Sequence, residues 1–298
     1  MNYTIVQDSR IGGRDINQDR VAWLATDDSV LMVVADGMGG HLQGEVAAQL
    51  AIDTISERFR AAAKARLVDP AQFLAAALQQ AHESIVRYAA DCRIPSHTAP
   101  RTTCIACVVQ DGQVNWAHAG DSRLYLIHGR AKGDAGFMRT RDHSLVQRMV
   151  DDGIIESGQA ASHPLRNRVF SCLGGDLMPS IEVSRSVPLQ DGDVIALCTD
   201  GAWAPLGEKL VRELGRASLT TSVPHLLDAA EQAAGPTADN LTLIAMRWNA
   251  PDPDAHTLNL RPDALPTNVT APLSDEEIDA AVAEIRRRMP YTPTGVSS

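Results

Sequence analysis

The sequence predicts an α+β layered domain in which antiparallel sheets carry pairs of helices. Strand-like runs follow one another in groups and helix-like runs come in pairs, without the βαβα alternation of a doubly wound sheet. Asp111-Gly112 lies between two apolar runs, which is the strongest short signal for a hairpin and so for antiparallel pairing. Of the 298 residues, 44% are hydrophobic and 21% charged, which supports a substantial core and argues against global disorder.

Taken in order, residues 3–8 and 20–24 read as short strands joined by the polar link GGRDINQD. The run 30–35 has no polar alternation and reads as a strand buried on both faces. Residues 44–60 place Ala47, Ala48, Ala51, Ile52, Ile55 and Phe59 at helical spacing. Residues 71–90 repeat this with Leu74, Ala77, Leu78, Ala81, Ile85 and Tyr88. Val68-Asp69-Pro70 separates the two, with proline at the start of the second helix. Residues 102–109, 113–118 and 122–127 are strand-like, and 144–152 reads as a short helix. Residues 153–177 are irregular and polar. Strands at 181–187 and 193–199 flank the turn Gln190-Asp191-Gly192-Asp193. Helices follow at 207–215 and 223–234, and a last strand at 241–248.

After Trp248 the composition changes. Residues 249–273 are rich in Pro, Asp, Thr and Asn without periodicity and read as a flexible linker. Ser274-Asp275-Glu276-Glu277 is a capping box. Beyond it Ile278, Ala281, Val282, Ile285 and Met289 line one helical face, and Arg286-Arg287-Arg288 sits where a helix C-terminus favours positive charge. The expected organisation is a domain at 1–248, a linker at 249–273 and an accessory C-terminal helix and tail at 274–298.

The net charge of −10, with no Lys/Arg-rich run in the body of the chain, argues against nucleic-acid binding. The N-terminus MNYTIVQDSR lacks the layout of a signal peptide, and no apolar run is long enough to span a bilayer. Cys104 and Cys107 form a CxxC within a strand-like run, with no second pair and no histidine at finger spacing. They read as small core residues rather than zinc ligands. A reducing, cytoplasmic location fits the five unpatterned cysteines.

The chemistry concentrates at strand ends. Val33-Val34-Ala35 runs into Asp36-Gly37-Met38-Gly39-Gly40-His41. An acid held rigidly at a strand tip, with glycines that permit close approach, offers oxygens to a hard cation. Asp-Gly alone is also a common turn. The pattern recurs, however. The run 193–198 ends in Thr199-Asp200-Gly201, and the run 114–118 in Ala119-Gly120-Asp121-Ser122-Arg123. Asp239-Asn240 precedes the last strand, and Asp19 closes the link before the second. Five acids against strand ends suggest one oxygen-rich site for Mg²⁺ or Mn²⁺, since no Cys/His cluster suits zinc. Two such ions about 3.5–4 Å apart can activate a water for in-line attack on phosphorus.

The ordered set RDINQD, VVADGMGGH, GDSR, CTDG and DN resembles the PP2C (PPM) family of metal-dependent protein serine/threonine phosphatases, in its compact bacterial form. The segments Arg141–Ser144 and Asn167–Gly175 resemble the family as well. The likeness covers residues 1–248 and leaves the tail outside. It implies a β-sandwich between helical layers and a mobile flap near 153–177. It implies hydrolysis of phosphoserine and phosphothreonine with two Mn²⁺ or Mg²⁺ ions and a third, weaker one. By the same resemblance Asp36 bridges both metals, the Gly37 carbonyl adds to one, and Asp200 and Asp239 hold the other. Asp121 with Asp200 holds the third ion, and Asp19 acts through water. Arg14 grips the substrate phosphate as a bidentate fork. His41 is the general acid for the leaving serine or threonine oxygen. The partners implied are phosphorylated proteins, among them a Ser/Thr kinase and its targets, met by a monomer. Gln18 stands where some members carry an acid, and Ala204 where relatives often carry one near the third metal.

Two other readings compete with this one. Gly120-Asp121-Ser122 superficially matches an esterase nucleophile block, but no histidine in the chain has Asp three positions before it. The other rival is a catalytically silent, phosphatase-like sensor or phosphoprotein-binding module. Loss of Asp36, Asp200 or Asp239 would be its mark, and all three are present. His118 reads as packed, His143 as structural, and His163 as a loop residue.

Overall fold

The computed structural model describes residues 1–38, 43–129, 136–160 and 163–248. The expected linker and tail helix lie outside the described residues, and so does His41. The chain opens with strands β1 (Tyr3–Arg10), β2 (Asp19–Ala25) and β3 (Ser29–Met38). Helices α1 (Gly44–Ala62) and α2 (Pro70–Asp91) follow as the expected pair. Pro70 opens α2, and the Asp69 carboxylate caps it by accepting from the Gln72 N–H at 3.0 Å. Next come β4 (Arg101–Thr102), β5 (Cys104–Gln110), β6 (Gln113–Ala119), β7 (Arg123–Ile127) and β8 (Phe137–Arg139). Asp111 and Gly112 both take positive φ, 52° and 68°, as a two-residue hairpin turn between β5 and β6 requires. The chain continues through α3 (Leu145–Asp151), α4 (Ser157–Ala160), β9 (Leu173–Gly174), β10 (Glu182–Val183), β11 (Val187–Pro188) and β12 (Val194–Cys198). It closes with α5 (Asp200–Leu206), α6 (Glu208–Arg216), α7 (Leu219–Ala234) and β13 (Leu241–Trp248).

All strand pairs are antiparallel and form two sheets. One runs β1-β13-β12-β7-β8; the other runs β10-β6-β5-β3-β4-β9, with β2 on β3 and β11 on β6. The alternation along β3 shows how the layers stack. Val30, Met32 and Val34 enter the core between the sheets, with Ile105, Leu124, Leu197 and Ile244. Leu31, Val33 and Ala35 point the other way, into a core shared with Ala48, Ile55, Leu74 and Leu78 of α1 and α2. A third core, with Leu210, Val223, Leu226 and Leu243, joins the first sheet to α5–α7. The order is therefore helix, sheet, sheet, helix, the sandwich between helical layers that the family resemblance implies.

Several details differ from expectation, each for a local reason. The helix expected at 207–215 is α6, but a helix not expected, α5, starts at Asp200 and is separated from it at Gly207, whose φ is +52°. Seven residues are too few to display a helical period. The strand expected at 181–187 is two short pieces, β10 and β11, paired with different parts of β6. Strand β8 went unread because its three residues are exposed and carry no alternation. Cys104 and Cys107 fall on opposite faces of β5, one in the helix-side core and one between the sheets, so they do not converge on a ligand.

Candidate metal centre

Each acid singled out above is placed by a backbone device at one end of the sandwich. Asp36 lies near the end of β3, and the β2–β3 register sets Asp19 directly opposite it. Gly37 follows, and a Cβ there would lie 2.2 Å from the Gly44 carbonyl oxygen. Only glycine lets the start of α1 come this close to β3. Asp121 sits in the connection between β6 and β7, Asp200 is the first residue of α5, and Asp239 lies two residues before β13. A cleft of about 530 Å³ is lined by Arg14, Asp36, Gly37, Asp121, Asp200 and Asp239 among others. Asp19 is 2% exposed and lies behind it, its Oδ2 accepting from the Thr199 hydroxyl at 2.8 Å. Of the eight site residues read from the sequence, the structure gathers seven: Arg14, Asp19, Asp36, Gly37, Asp121, Asp200 and Asp239. The eighth, His41, falls outside the described residues.

The electrostatics are those of too many carboxylates for one dry place. Burial pushes the Asp36 carboxyl well above its usual range, and Asp19, Asp200, Asp121 and Asp239 push it further. Burial raises Asp19 to about 7, with Asp200 and Asp239 adding to it. Asp121 rises to about 8, through burial first and then Asp200 and Asp142. Asp200 is raised by burial and by Asp239. Against these, Arg14 is the one cation lining the cleft among the described residues, donating to Asp239 at 2.9 Å. A divalent cation resolves both problems at once, because it neutralises the charge and accepts oxygen donors. The Asp19 Oδ1, buried with no hydrogen-bond partner, is a further donor left unused. The donor set is all oxygen, which fits Mg²⁺ or Mn²⁺.

Asn240 holds the cleft together in a way the sequence did not disclose. Its side-chain oxygen accepts from the Gln18 N–H at 2.8 Å, and its amide donates to the carbonyls of Ile11 and Ile16 at 2.9 and 3.0 Å. These bonds fix the loop that carries Arg14. In the sequence, Asp-Asn before a strand is ordinary turn chemistry and gives no hint of this. Asn167 and Val169, from the irregular segment after α4, also line the cleft.

His118, His143 and Glu182 form a second cluster, with ligand atoms within 4.8 Å of one another. The two rings stack at 4.5 Å. Gly120 N–H donates to Nδ1 of His143 at 3.3 Å, which leaves the ring proton on Nε2, 3.5 Å from Glu182. His118 donates from Nε2 to the Arg141 carbonyl at 2.9 Å. Both rings bond the backbone of neighbouring segments, at Arg141 and Gly120, which suits a supporting role for these histidines.

A family model described as Protein phosphatase 2C matches residues 6–235. The serine/threonine phosphatase stp of Listeria innocua is 29% identical over 227 residues, spanning 75% of this chain and 86% of that protein. The crystal structure of the Mycobacterium tuberculosis serine/threonine phosphatase PstP/Ppp is 28% identical, covers 83% of this chain and 99% of that one, and superposes with a TM-score of 0.69. The catalytic domain of PstP in complex with two manganese ions superposes with a TM-score of 0.66 at 26% identity, over 82% of this chain and 97% of that domain. Fold, acidic cleft and family match agree: the chain belongs to the protein phosphatase 2C family.

Proposed function

We propose that the chain is a protein serine/threonine phosphatase that hydrolyses phosphoserine and phosphothreonine with two Mn²⁺ or Mg²⁺ ions. The observation that carries this is the convergence of Asp36, Asp121, Asp200 and Asp239 from separate chain segments on one cleft, with Arg14 at its wall. Asp36, the Gly37 carbonyl, Asp200 and Asp239 are the residues that would hold the two ions. Asp121, next to Asp200, would serve a third and weaker one. What the ions supply when bound is Lewis-acid activation of the attacking water and neutralisation of phosphoryl charge. Asp19, buried behind Asp36 and held by Thr199, anchors that arrangement from the rear. Were Asp239 to hold an ion, the Arg14 guanidinium that donates to it in this structure would be free to donate to the substrate phosphate. His41 would protonate the leaving oxygen, since an alkoxide is a poor leaving group at neutral pH.

The substrates are phosphorylated proteins, and a Ser/Thr kinase and its targets are the partners this chemistry opposes. We place the protein in the cytoplasm, as a monomer. All five cysteines are free thiols, and no helix among the described residues is long and apolar enough to cross a membrane. We take 1–248 as the catalytic domain; the last described strand ends at Trp248. The silent-sensor alternative gains nothing from the structure, which keeps every proposed ligand.

The test is phosphate release from a phosphoserine peptide and from p-nitrophenyl phosphate by protein stripped with EDTA and reloaded with Mn²⁺. Activity should vanish and return. His41→Ala should lower kcat on the peptide by about 10²–10⁴, the span of general-acid loss. On p-nitrophenyl phosphate the loss should be much smaller, because that leaving group departs unprotonated. Equal losses on both substrates would remove His41 from the proton-donor role. No Mn²⁺-dependent release from either substrate would sink the phosphatase reading.

A further inference from the structure

Asp121 sits in the connection between β6 and β7, outside both strand and helix. Its aim therefore depends on what holds that turn. On one side, the neighbouring Ser122 hydroxyl bonds the Thr103 hydroxyl at 2.7 Å, and Thr103 accepts from the Asp36 N–H at 3.3 Å. On the other side, the Trp203 indole Nε1–H donates to the Asp121 backbone carbonyl at 3.0 Å. Trp203 stands three residues beyond Asp200 in α5, with its own N–H bonded to the Thr199 carbonyl at 3.1 Å. The indole thus spans from the helix that begins with Asp200 to the turn that carries Asp121.

The ring itself is locked. The Arg123 guanidinium carbon lies 3.3 Å from the Trp203 ring centroid. Arg123 is fixed in turn by Asp142, which accepts from Nε at 2.8 Å and from a terminal nitrogen at 2.7 Å. Its other terminal nitrogen donates to the Tyr125 hydroxyl at 3.0 Å. Ala204, the next residue of α5, is exposed and brings no side-chain oxygen. The acidic donors on this side of the cleft are then Asp121 and Asp200, and their relative placement decides how well a cation fits.

We propose that Trp203 is a positioning residue. Its indole N–H fixes the Asp121 carbonyl relative to Asp200, and so sets the affinity of the cation site to which Asp121 contributes. The inference rests on the metal-centre reading above. It differs from a packing role in one respect: the N–H matters, beyond the presence of an aromatic ring.

The experiment is calorimetric titration of Mn²⁺ into the full chain after EDTA stripping, with melting in EDTA as a check on folding. Asp121→Asn identifies the binding step that depends on Asp121. Trp203→Phe keeps a face for Arg123 but loses the donor. It should weaken that step by about tenfold, the low end of losses for partners that orient metal ligands, and leave the other steps unchanged. Trp203→Leu, which loses the stack as well, should weaken it further. Benzothienylalanine at position 203 keeps the ring shape without the N–H, and it decides the matter should Trp203→Phe melt early. Wild-type affinity at the Asp121-dependent step with either ring replacement would overturn the proposal. So would an Asp121→Asn titration identical to wild type. Wild-type protein with no saturable Mn²⁺ step would instead sink the metal-centre reading, a distinct failure.

Discussion

Asp36 has four acids, Asp19, Asp200, Asp121 and Asp239, close enough to raise its carboxyl beyond what burial does. Asp36→Asn should abolish turnover because it removes the proposed shared ligand. It should also raise the melting temperature in EDTA, because asparagine spares the chain the cost of burying a carboxyl among other acids; wild-type turnover of this variant in Mn²⁺ would exclude the two-metal arrangement. The same crowding gives a pH dependence. Asp19 is raised to about 7 and Asp121 to about 8 from an ordinary 3.8. A carboxyl raised on folding contributes stability that is full below its unfolded value and is lost as pH rises through the folded one. The metal-free protein should therefore melt at lower temperature at pH 8 than at pH 6. Mg²⁺ should raise the melting point more at pH 8, and an equal gain at both values would contradict the assigned crowding. These acids were legible in the sequence because each interrupts an apolar run at its end. Asn240 and Trp203 were not, because their roles lie in hydrogen bonds to backbone carbonyls far away in the chain.

Among the elements, α2 shows how local chemistry fixes a boundary. Asp69 caps it and Pro70 opens it, both readable as residue types. Asp69→Ala should cost about 1 kcal/mol of stability, the usual worth of an N-cap. Activity in saturating Mn²⁺ should be unchanged, since α2 lends no residue to the cleft lining. Urea melts beside phosphate-release assays would measure both. The elements that escaped the sequence are those whose existence depends on tertiary partners. Strand β8 is held by pairing with β7, with Tyr125 opposite Arg139, and β10 by pairing with β6, with Glu182 opposite His118. Helix α5 is seven residues long and starts on a residue already assigned to a strand end. That double duty places Asp200 in the first turn of a helix whose N–H groups point toward the cleft end, a favourable setting for a carboxylate.

At the scale of the whole molecule, the sequence disclosed the layers because β3 is apolar at every position from Val30 to Ala35, which requires cover on both faces. The pairing order was not legible, since β1 meets β13 from the far end of the domain and no short-range signal reports that. All proposed ligands lie at or before Asp239. Truncation after residue 250 should then leave kcat/KM on p-nitrophenyl phosphate essentially unchanged, as measured beside the full chain. Loss of folding or activity would move the domain boundary into the tail.

The cleft also joins parts of the molecule that the backbone leaves separate. Asp36 and Asp19 belong to one sheet, while Asp200 and Asp239 flank β12 and β13 of the other. Among the described residues the two sheets share no ladder of backbone bonds; apolar packing lies between them, and at the cleft end a few directional bonds, Thr199 to Asp19 and Asn240 to the Gln18 and Ile16 backbone, cross from one to the other. A cation gripped from both sides would act as a rivet at the open end of the sandwich. Sliding of one sheet over the other, even by a fraction of a residue, would pull its oxygens out of range. Metal loading and the mechanical registry of the sandwich would then be one equilibrium, in which shear between the sheets and loss of the ions go together.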